Sequence, residues 1–507
     1  MGTRKFGSLP VYLCAFICLF LFIGINSRST AQVIYPAPAG LKQSDEYEVK
    51  VNSKNAFVYN SPIPAAYCSF DMAEAVDVVI KVNRDVKWVD VRPLSAGVTP
   101  MFKDSTIRIH LEKPQQLSIE INGSIRNSLF LFANAIEKNK PKKNDPNVVY
   151  FEAGRVYYPG IIELRSNQSL YVEGGAVVVG VVKAKGQKNI KVFGRGILDG
   201  TYNKNFHDSL MKSKPVDMLH ALESAKGKYH RFLEFIDCEN VRVEDVTLHN
   251  STSWQIVPEH CNNVQISNVK VLSDQASDDG TDIVRSKNVI IENSFYRTKD
   301  DCIAIKAHLN YPREEGVDNV TVRNCIFWNA LWGNGIEIGF ELNSAEVKNV
   351  TFKNCDIIHI EAGAAISIHN AGTGHVKNIV FDDIRIEDAR QKLFDLAIFR
   401  SQYSEDGNLG PEERKKYYLN GAWDGVLMVP PNLKNKHSAF RGRISNVTFK
   451  NIQIVDGMFP YSVFYGYDNT HNISDITVDN LTVHGKKIQS VNQLKLYSEN
   501  AENVVVK

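Results

Sequence analysis

The chain has 507 residues, 43% of them hydrophobic and 23% charged, with a formal net charge of +2. This is ordinary globular composition with ample material for a core, and the length exceeds what one compact domain needs. The near-neutral charge carries no basic run of the kind a nucleic-acid surface shows, and no CxxC pair suggests a zinc site.

Arg4 and Lys5 precede an apolar run from Val11 to Ile25, followed by the small residues Ser29, Thr30 and Ala31. A charged start, an apolar middle and a small-residue exit read as a secretory signal peptide over 1–31. The run falls short of the ~20 residues of a spanning helix. A retained signal anchor is the alternative. The expected mature protein is secreted or periplasmic, free of the membrane after cleavage, and monomeric. The segment 32–138 holds alternating strands such as VDVVIKV, TIRIHL and LSIEING, and is read as a small β-sandwich. A Lys-rich stretch, EKNKPKKNDP, reads as a linker.

From 145 to 507 a different pattern rules. The repeat Asn-aliphatic-x-aliphatic recurs: NIKVFGRGILD from Asn189, NVRVEDVTLHN from Asn240, NVQISNVKVLS from Asn263 and NVIIENSFYRT from Asn288. It continues from Asn319, Asn349, Asn378 and Asn446, and more weakly from Asp475. Starts from Asn240 to Asn378 fall 23, 25, 31, 30 and 29 residues apart. Period-2 alternation predicts strands, and one strand per such interval fits the coil of a solenoid. The leucine consensus of leucine-rich repeats is absent, and a propeller needs four strands per longer repeat. The expected fold is therefore all-β, a right-handed parallel β-helix preceded by the sandwich. Cys238 and Cys261 lie one coil apart, as do Cys302 and Cys325, with Cys355 a further coil on, and they read as stacked reduced thiols rather than disulfides. The 68 residues between Asn378 and Asn446 contain little periodicity. They are read as an insertion at about 391–445 lying over one face, with Tyr403, Tyr417, Tyr418 and Trp423 favouring order.

Two acidic clusters stand out, SDDGTD over 277–282 and KDDCIAIK over 299–306, about one coil apart. A β-helix places them on neighbouring rungs of one face. Adjacent carboxylates raise each other's proton affinity, so one can serve as acid while another serves as base. Hydrolysis of a glycosidic bond needs that pair. Clustered Asp oxygens also suit Ca²⁺, which points instead to a polysaccharide lyase. Spacing alone leaves both open.

From about Val149 to Asn354 the chain resembles the polygalacturonase-type glycoside hydrolases, a family 28-like pattern. FEAGRVYYPGIIELRSNQSLYVEGGAVVVG resembles the family's opening coils, and FGRGILDG its Gly-x-Gly-x-Ile-Asp-Gly motif. NSTSWQIVP resembles Asn-Ser-Pro-x-Trp, SDDGTD stands for Asn-Thr-Asp-Gly-x-Asp, and KDDCIAIK matches Gly-Asp-Asp-Cys-Ile-Ala-Ile-Lys nearly residue for residue. The resemblance implies a catalytic triad: Asp300 as general acid, with Asp279 and Asp301 holding and deprotonating water, and inversion at the anomeric carbon. Asp282 is read as structural.

Departures from the family pattern bear on substrate. The family's Gly-His-Gly falls at Gly333-Asn334-Gly335, and its Arg-x-Lys near Ser367-Ile368-His369. The cations that would grip a galacturonate are missing, so plain galacturonan is not expected. Asn334, Glu337, Lys306, His369 and Trp254 are the expected substrate-binding residues, with Glu341 close by. The N-terminal β-domain and the DDCIAIK segment are also similar to the dextranase and isopullulanase relatives. The expected protein is an inverting glycosidase acting on an α-linked polysaccharide or oligosaccharide, with no cofactor, no metal and no nucleic-acid partner. A calcium-dependent lyase and a non-catalytic carbohydrate-binding β-helix are the alternatives.

Overall fold

In a computed structural model, residues 2, 32–61, 63–203, 230–407, 426, 427, 429 and 431–507 are described. The signal segment, and Tyr417, Tyr418 and Trp423, lie outside the described residues apart from position 2. No helix among the described residues is long and apolar enough to cross a membrane.

The N-terminal strands form two sheets. Gln32–Ile34, Ala65–Met72, Ser124–Ala135, Gln115–Ile121 and Val89–Arg92 pair in that order, with Val58–Asn60 on Ala65–Met72. Lys54–Ala56, Tyr47–Val51, Val76–Val82, Thr106–Leu111 and Met101–Lys103 make the second. Their alternating residues, among them Val49, Val78, Ile80, Ile107, Leu117, Ile119 and Leu129, close one shared core. This is the sandwich the period-2 pattern calls for.

From Val148 onward the described strands pair in parallel with strands one coil away. The exception is Lys486–Lys487, which folds back on Thr482–Val483 as a short antiparallel hairpin. The result is a right-handed parallel β-helix. Its apolar column runs in register: Val241, Val264, Val289, Val320, Val350, Ile379, Val447 and Ile476 each sit on the one before. All are buried in one continuous core. The Asn that opens each repeat has a structural reason. Asn189, Asn240, Asn263, Asn288, Asn319, Asn349, Asn378 and Asn446 all adopt the left-handed conformation, φ 52–60°. Asn tolerates that region better than other residues with a Cβ. Their side-chain amides also bond from coil to coil, as in Asn319 to Asn288 at 2.7 Å and Asn378 to Asn349 at 3.1 Å.

Two coils carry excursions. Asn446 bonds Asn378 directly across 68 residues, so that interval is one coil with an excursion. The segment expected as an insertion opens with a strand of the helix, Lys392–Ile398, and the chain rejoins at Arg443–Ile454. Likewise Asn240 bonds Asn189 across 51 residues, an excursion that the repeat spacing did not single out.

The sandwich docks on one face of the helix. Tyr67, Phe130 and Phe132 pack with Leu272, Phe295, Trp328 and Ile358. The six cysteines beyond the signal segment are free and buried. The docked strand Ile326–Asn329 then leads straight into the acidic loops, because Asn329 follows Trp328 and turns towards Asp300.

Candidate active site

Three successive turns stack above one sheet, and the sheet supplies the floor. Thr281–Val284, Ile303–Ala307, Ile336–Leu342, Ala364–Asn370 and Lys392–Ile398 pair in order. The turns are stapled to one another by backbone: Gly280 N donates to Asp301 O at 2.8 Å, and Cys302 N to Asn334 O at 3.1 Å. Asp279 thus stands on one coil, Asp300 and Asp301 on the next, and Asn334 on the third. The nearest carboxylate oxygens of Asp279, Asp300 and Asp301 fall within 4.8 Å of one another. That spacing could also hold a cation. Lys306 Nζ, 3.7 Å from Asp279, already supplies positive charge there.

The turn that carries Asp300 is held from beneath. Buried Asp278 accepts the backbone N–H of Lys299 at 2.9 Å and of Asp300 at 2.8 Å through one oxygen, and that of Gln275 at 2.8 Å through the other. Asn329 Nδ2 donates to Asp300 O at 2.6 Å and to Trp332 O at 2.7 Å. Gly333 has φ +69°, and a Cβ there would come within 2.5 Å of Asp300 Oδ1, so this position requires glycine.

Burial is the main cause of the electrostatics. It pushes Asp300 well above the ordinary carboxylate range, aided by the charges of Asp279 and Asp278. Asp301 is raised in the same way, by burial and then by Asp300, Glu337 and Asp279. Asp279 is raised too, but Lys306 opposes the burial most strongly there. Asp278 is pushed up to about 6, chiefly by burial. Asp282 is fully buried, 3.8 Å from Lys306, and neither of its carboxylate oxygens has a hydrogen-bond partner. For Lys306, burial works downward but Glu341, Asp279, Asp282 and Asp301 outweigh it and hold it charged.

The five expected substrate-binding residues are brought to this face, but not all are open. Asn334, Glu337, Lys306 and His369 are buried. Asn334 donates to Asp301 Oδ1 from its backbone at 2.7 Å and its side chain at 3.2 Å, and to Glu337 Oε2 at 2.9 Å. Glu337 also accepts from Ser367 and meets His369 Nδ1 at 2.9 Å. Trp254 is half-buried, with Lys306 Nζ 4.8 Å and the Arg231 guanidinium 3.6 Å from its ring.

Sequence reasoning did not single out Asp278, Arg231, Asp395 or Trp332. Trp332 is 46% exposed, with Lys299 Nζ 5.0 Å from its ring. It stands immediately ahead of the GNGIEIGFE motif, where its indole could have been noticed. Asp395 sat inside the stretch read as an insertion. Arg231 follows a segment without periodicity and had no local signal.

The molecule is thus a parallel β-helix with an aspartate cluster over its floor sheet, and comparison agrees with the resemblance to polygalacturonase-type glycoside hydrolases. Residues 161–396 match the family model of Glycosyl hydrolases family 28. Polygalacturonase QRT2 of Arabidopsis thaliana is 27% identical over 310 residues, 59% of this chain and 63% of that protein. The chain therefore matches less than two thirds of that relative's length. Among solved structures, Dex49A from Penicillium minioluteum superposes with a TM-score of 0.61 at 14% identity, covering 93% of this chain and 96% of that one. An exopolygalacturonase from Thermotoga maritima gives 0.51 at 21% identity, covering 70% and 83%. These two likenesses concern the fold.

Proposed function

We propose that the protein is a secreted glycosidase that hydrolyses an α-linked polysaccharide with inversion. The observation that carries this is the set Asp279, Asp300 and Asp301, the first and last buried and Asp300 half-buried, with oxygens within 4.8 Å of one another. Asp300, protonated by burial and by its acidic neighbours, gives its proton to the glycosidic oxygen as the bond to the anomeric carbon breaks. Asp279, with Lys306 beside it, is the carboxylate best kept ionised. With Asp301 it holds water and takes its proton as the water oxygen bonds to the anomeric carbon.

Inverting enzymes generally separate acid and base by ~6.5–9.5 Å. The shorter spacing here suits the other distance the mechanism needs. A water bonded to two carboxylates at ~2.7–2.8 Å each sets their oxygens ~4.5 Å apart. The family resemblance supports inversion. Proton NMR of the first-formed anomer decides between inversion and retention.

The expected substrate is not plain galacturonan, since the Arg-x-Lys positions hold Ser367 and His369, both engaged by Glu337. Exposed Trp332, beside the turn of the general acid, is proposed to stack a sugar ring. A second reading has one observation behind it: Arg231, its guanidinium 3.6 Å from the Trp254 ring centre, offers a cation to an acidic sugar near Asp279.

The test is reducing-end release from a panel of polygalacturonate, dextran, pullulan and xylogalacturonan, with and without EDTA. Cleavage that survives EDTA without absorbance at ~235 nm is expected, because hydrolysis makes no unsaturated sugar. EDTA-sensitive cleavage with that absorbance establishes the lyase. Binding with no cleavage of any panel member by the full chain favours a binding β-helix.

A further inference from the structure

Asn334 and His369, which stand where the family pattern has its Gly-His-Gly and Arg-x-Lys residues, belong to a chain of contacts that ends on Asp301. Asn334 bridges Asp301 and Glu337. Glu337 Oε2 meets His369 Nδ1 at 2.9 Å, and His369 Nε2 meets Asp395 Oδ2 at 3.1 Å. Lys392 closes the far end on Asp395. The register builds this. Glu337, Ser367 and Asp395 stack on successive rungs, while His369 lies opposite Gly339. A Cβ on Gly339 would collide with Glu337 Oε1 and the His369 backbone, so a glycine is what lets Glu337 and His369 approach.

We propose that Asn334, Glu337, His369 and Asp395 are positioning residues that orient Asp301 and balance its surroundings, rather than groups that grip the substrate. The inference rests on the glycosidase reading above.

Three observations support it. All four residues are buried, with Glu337 1% exposed. Both imidazole nitrogens are engaged: Glu337 faces the ring from the rung before, Asp395 with Lys392 from the rung after, and the Phe340 and Phe399 rings stand 5.3 and 5.8 Å away. Glu337 Oε1 has no hydrogen-bond partner among the described residues, and of the three groups that meet Oε2 (Asn334, Ser367 and His369) only His369 can carry a positive charge. Burial works to neutralise the imidazole, but Glu337 and Asp395 overcome it and lift His369 to about 10. Asp301 is faced in turn by Asp300, Glu337, Asp279 and Lys306. An imidazolium behind Glu337 therefore offsets the one carboxylate that Asn334 ties to Asp301.

Two variants should move the acidic limb of the kcat/KM–pH profile in opposite directions. Glu337→Gln removes a negative charge beside Asp301, so the limb moves to lower pH. His369→Gln leaves Glu337 uncompensated, so the limb moves to higher pH. Each shift is expected at ~1 pH unit for charges this close in a buried site. The substrate is whichever panel polysaccharide the wild type cleaves. Should His369→Gln not fold, Asn334→Ala tests the same link, since loss of the side-chain donor to Asp301 also moves the limb up. Limbs that stay in place in folded, active variants overturn the positioning role. A rise in KM alone with an unmoved limb assigns these residues to substrate contact instead. If the wild type cleaves nothing, the glycosidase reading is what fails.

Discussion

Two of the places where the helix carries buried charge are built on opposite terms. At the junction with the sandwich, Arg195, Arg92 and His359 each face carboxylates. Arg195 pairs with Asp71 at 3.0 Å and Asp245 at 2.6 Å, and Arg92 with Glu120, Glu387 and Asp456 at 3.3, 2.7 and 3.1 Å. His359 bridges Glu120 and Asp388 at 2.9 Å each. Over the floor sheet, by contrast, Lys306 faces Asp279, Asp282 and Glu341 together, with Asp300 and Asp301 beyond. Matched charge joins two bodies. Unmatched carboxylates raise their own proton affinity and are left with a proton to give or take.

The largest expected effect breaks the unmatched side. Asp300→Asn should lower kcat by ~10²–10⁴, read by reducing-end release, while the melting temperature holds or rises because a crowded carboxylate is gone. A variant with near-full activity would remove Asp300 from the acid role. Arg195→Ala should do the converse. It strands Asp71 and Asp245, and breaking a buried pair from one side costs roughly 3–5 kcal/mol. Calorimetry should show that loss, with kcat retained in the folded fraction. An unchanged melt would mean the junction charges contribute nothing to stability.

Smaller effects sharpen the contrast. Trp332→Ala should raise KM by ~three- to tenfold, the scale of one aromatic stacking contact, with kcat nearly unchanged. An unaltered KM would leave the indole without a part in binding. The smallest effect is in pH-dependent stability. His369 is raised from 6.5 to about 10, so its contribution is full below the lower value and is lost as pH rises through the upper one. Asp395 is lowered to about 2 because His369 and Lys392 outweigh its burial, so its share is full above 3.8 and is lost as pH falls through about 2. Melting temperature followed upward from pH ~6 should therefore fall more steeply in the wild type than in Asp395→Asn. Parallel curves would show that the pair adds no such term.

Much of the fold could be read from the chain because a β-helix repeats local rules. The left-handed Asn and the apolar alternation that follows are decided within a few residues, and stacking only multiplies them. Asp279, Asp300 and Asp301 were legible for a related reason: they sit in short motifs one coil apart. Trp332 and Asp278 were within reach of the same motifs and carry no periodic mark. Asp395 was not, because its strand was taken as part of an insertion, and Arg231 was not, because it follows a segment without periodicity.

By itself the sequence determined the β-helix and its recurring Asn, since both rest on spacing along the chain, while the candidate triad came from the motifs that carry the family resemblance. Only the tertiary structure decided that Asn334, Glu337, His369 and Asp395 contact one another rather than the open cleft. That depends on the register of Ile336–Leu342, Ala364–Asn370 and Lys392–Ile398. A one-residue slip would turn every one of those side chains to the other face.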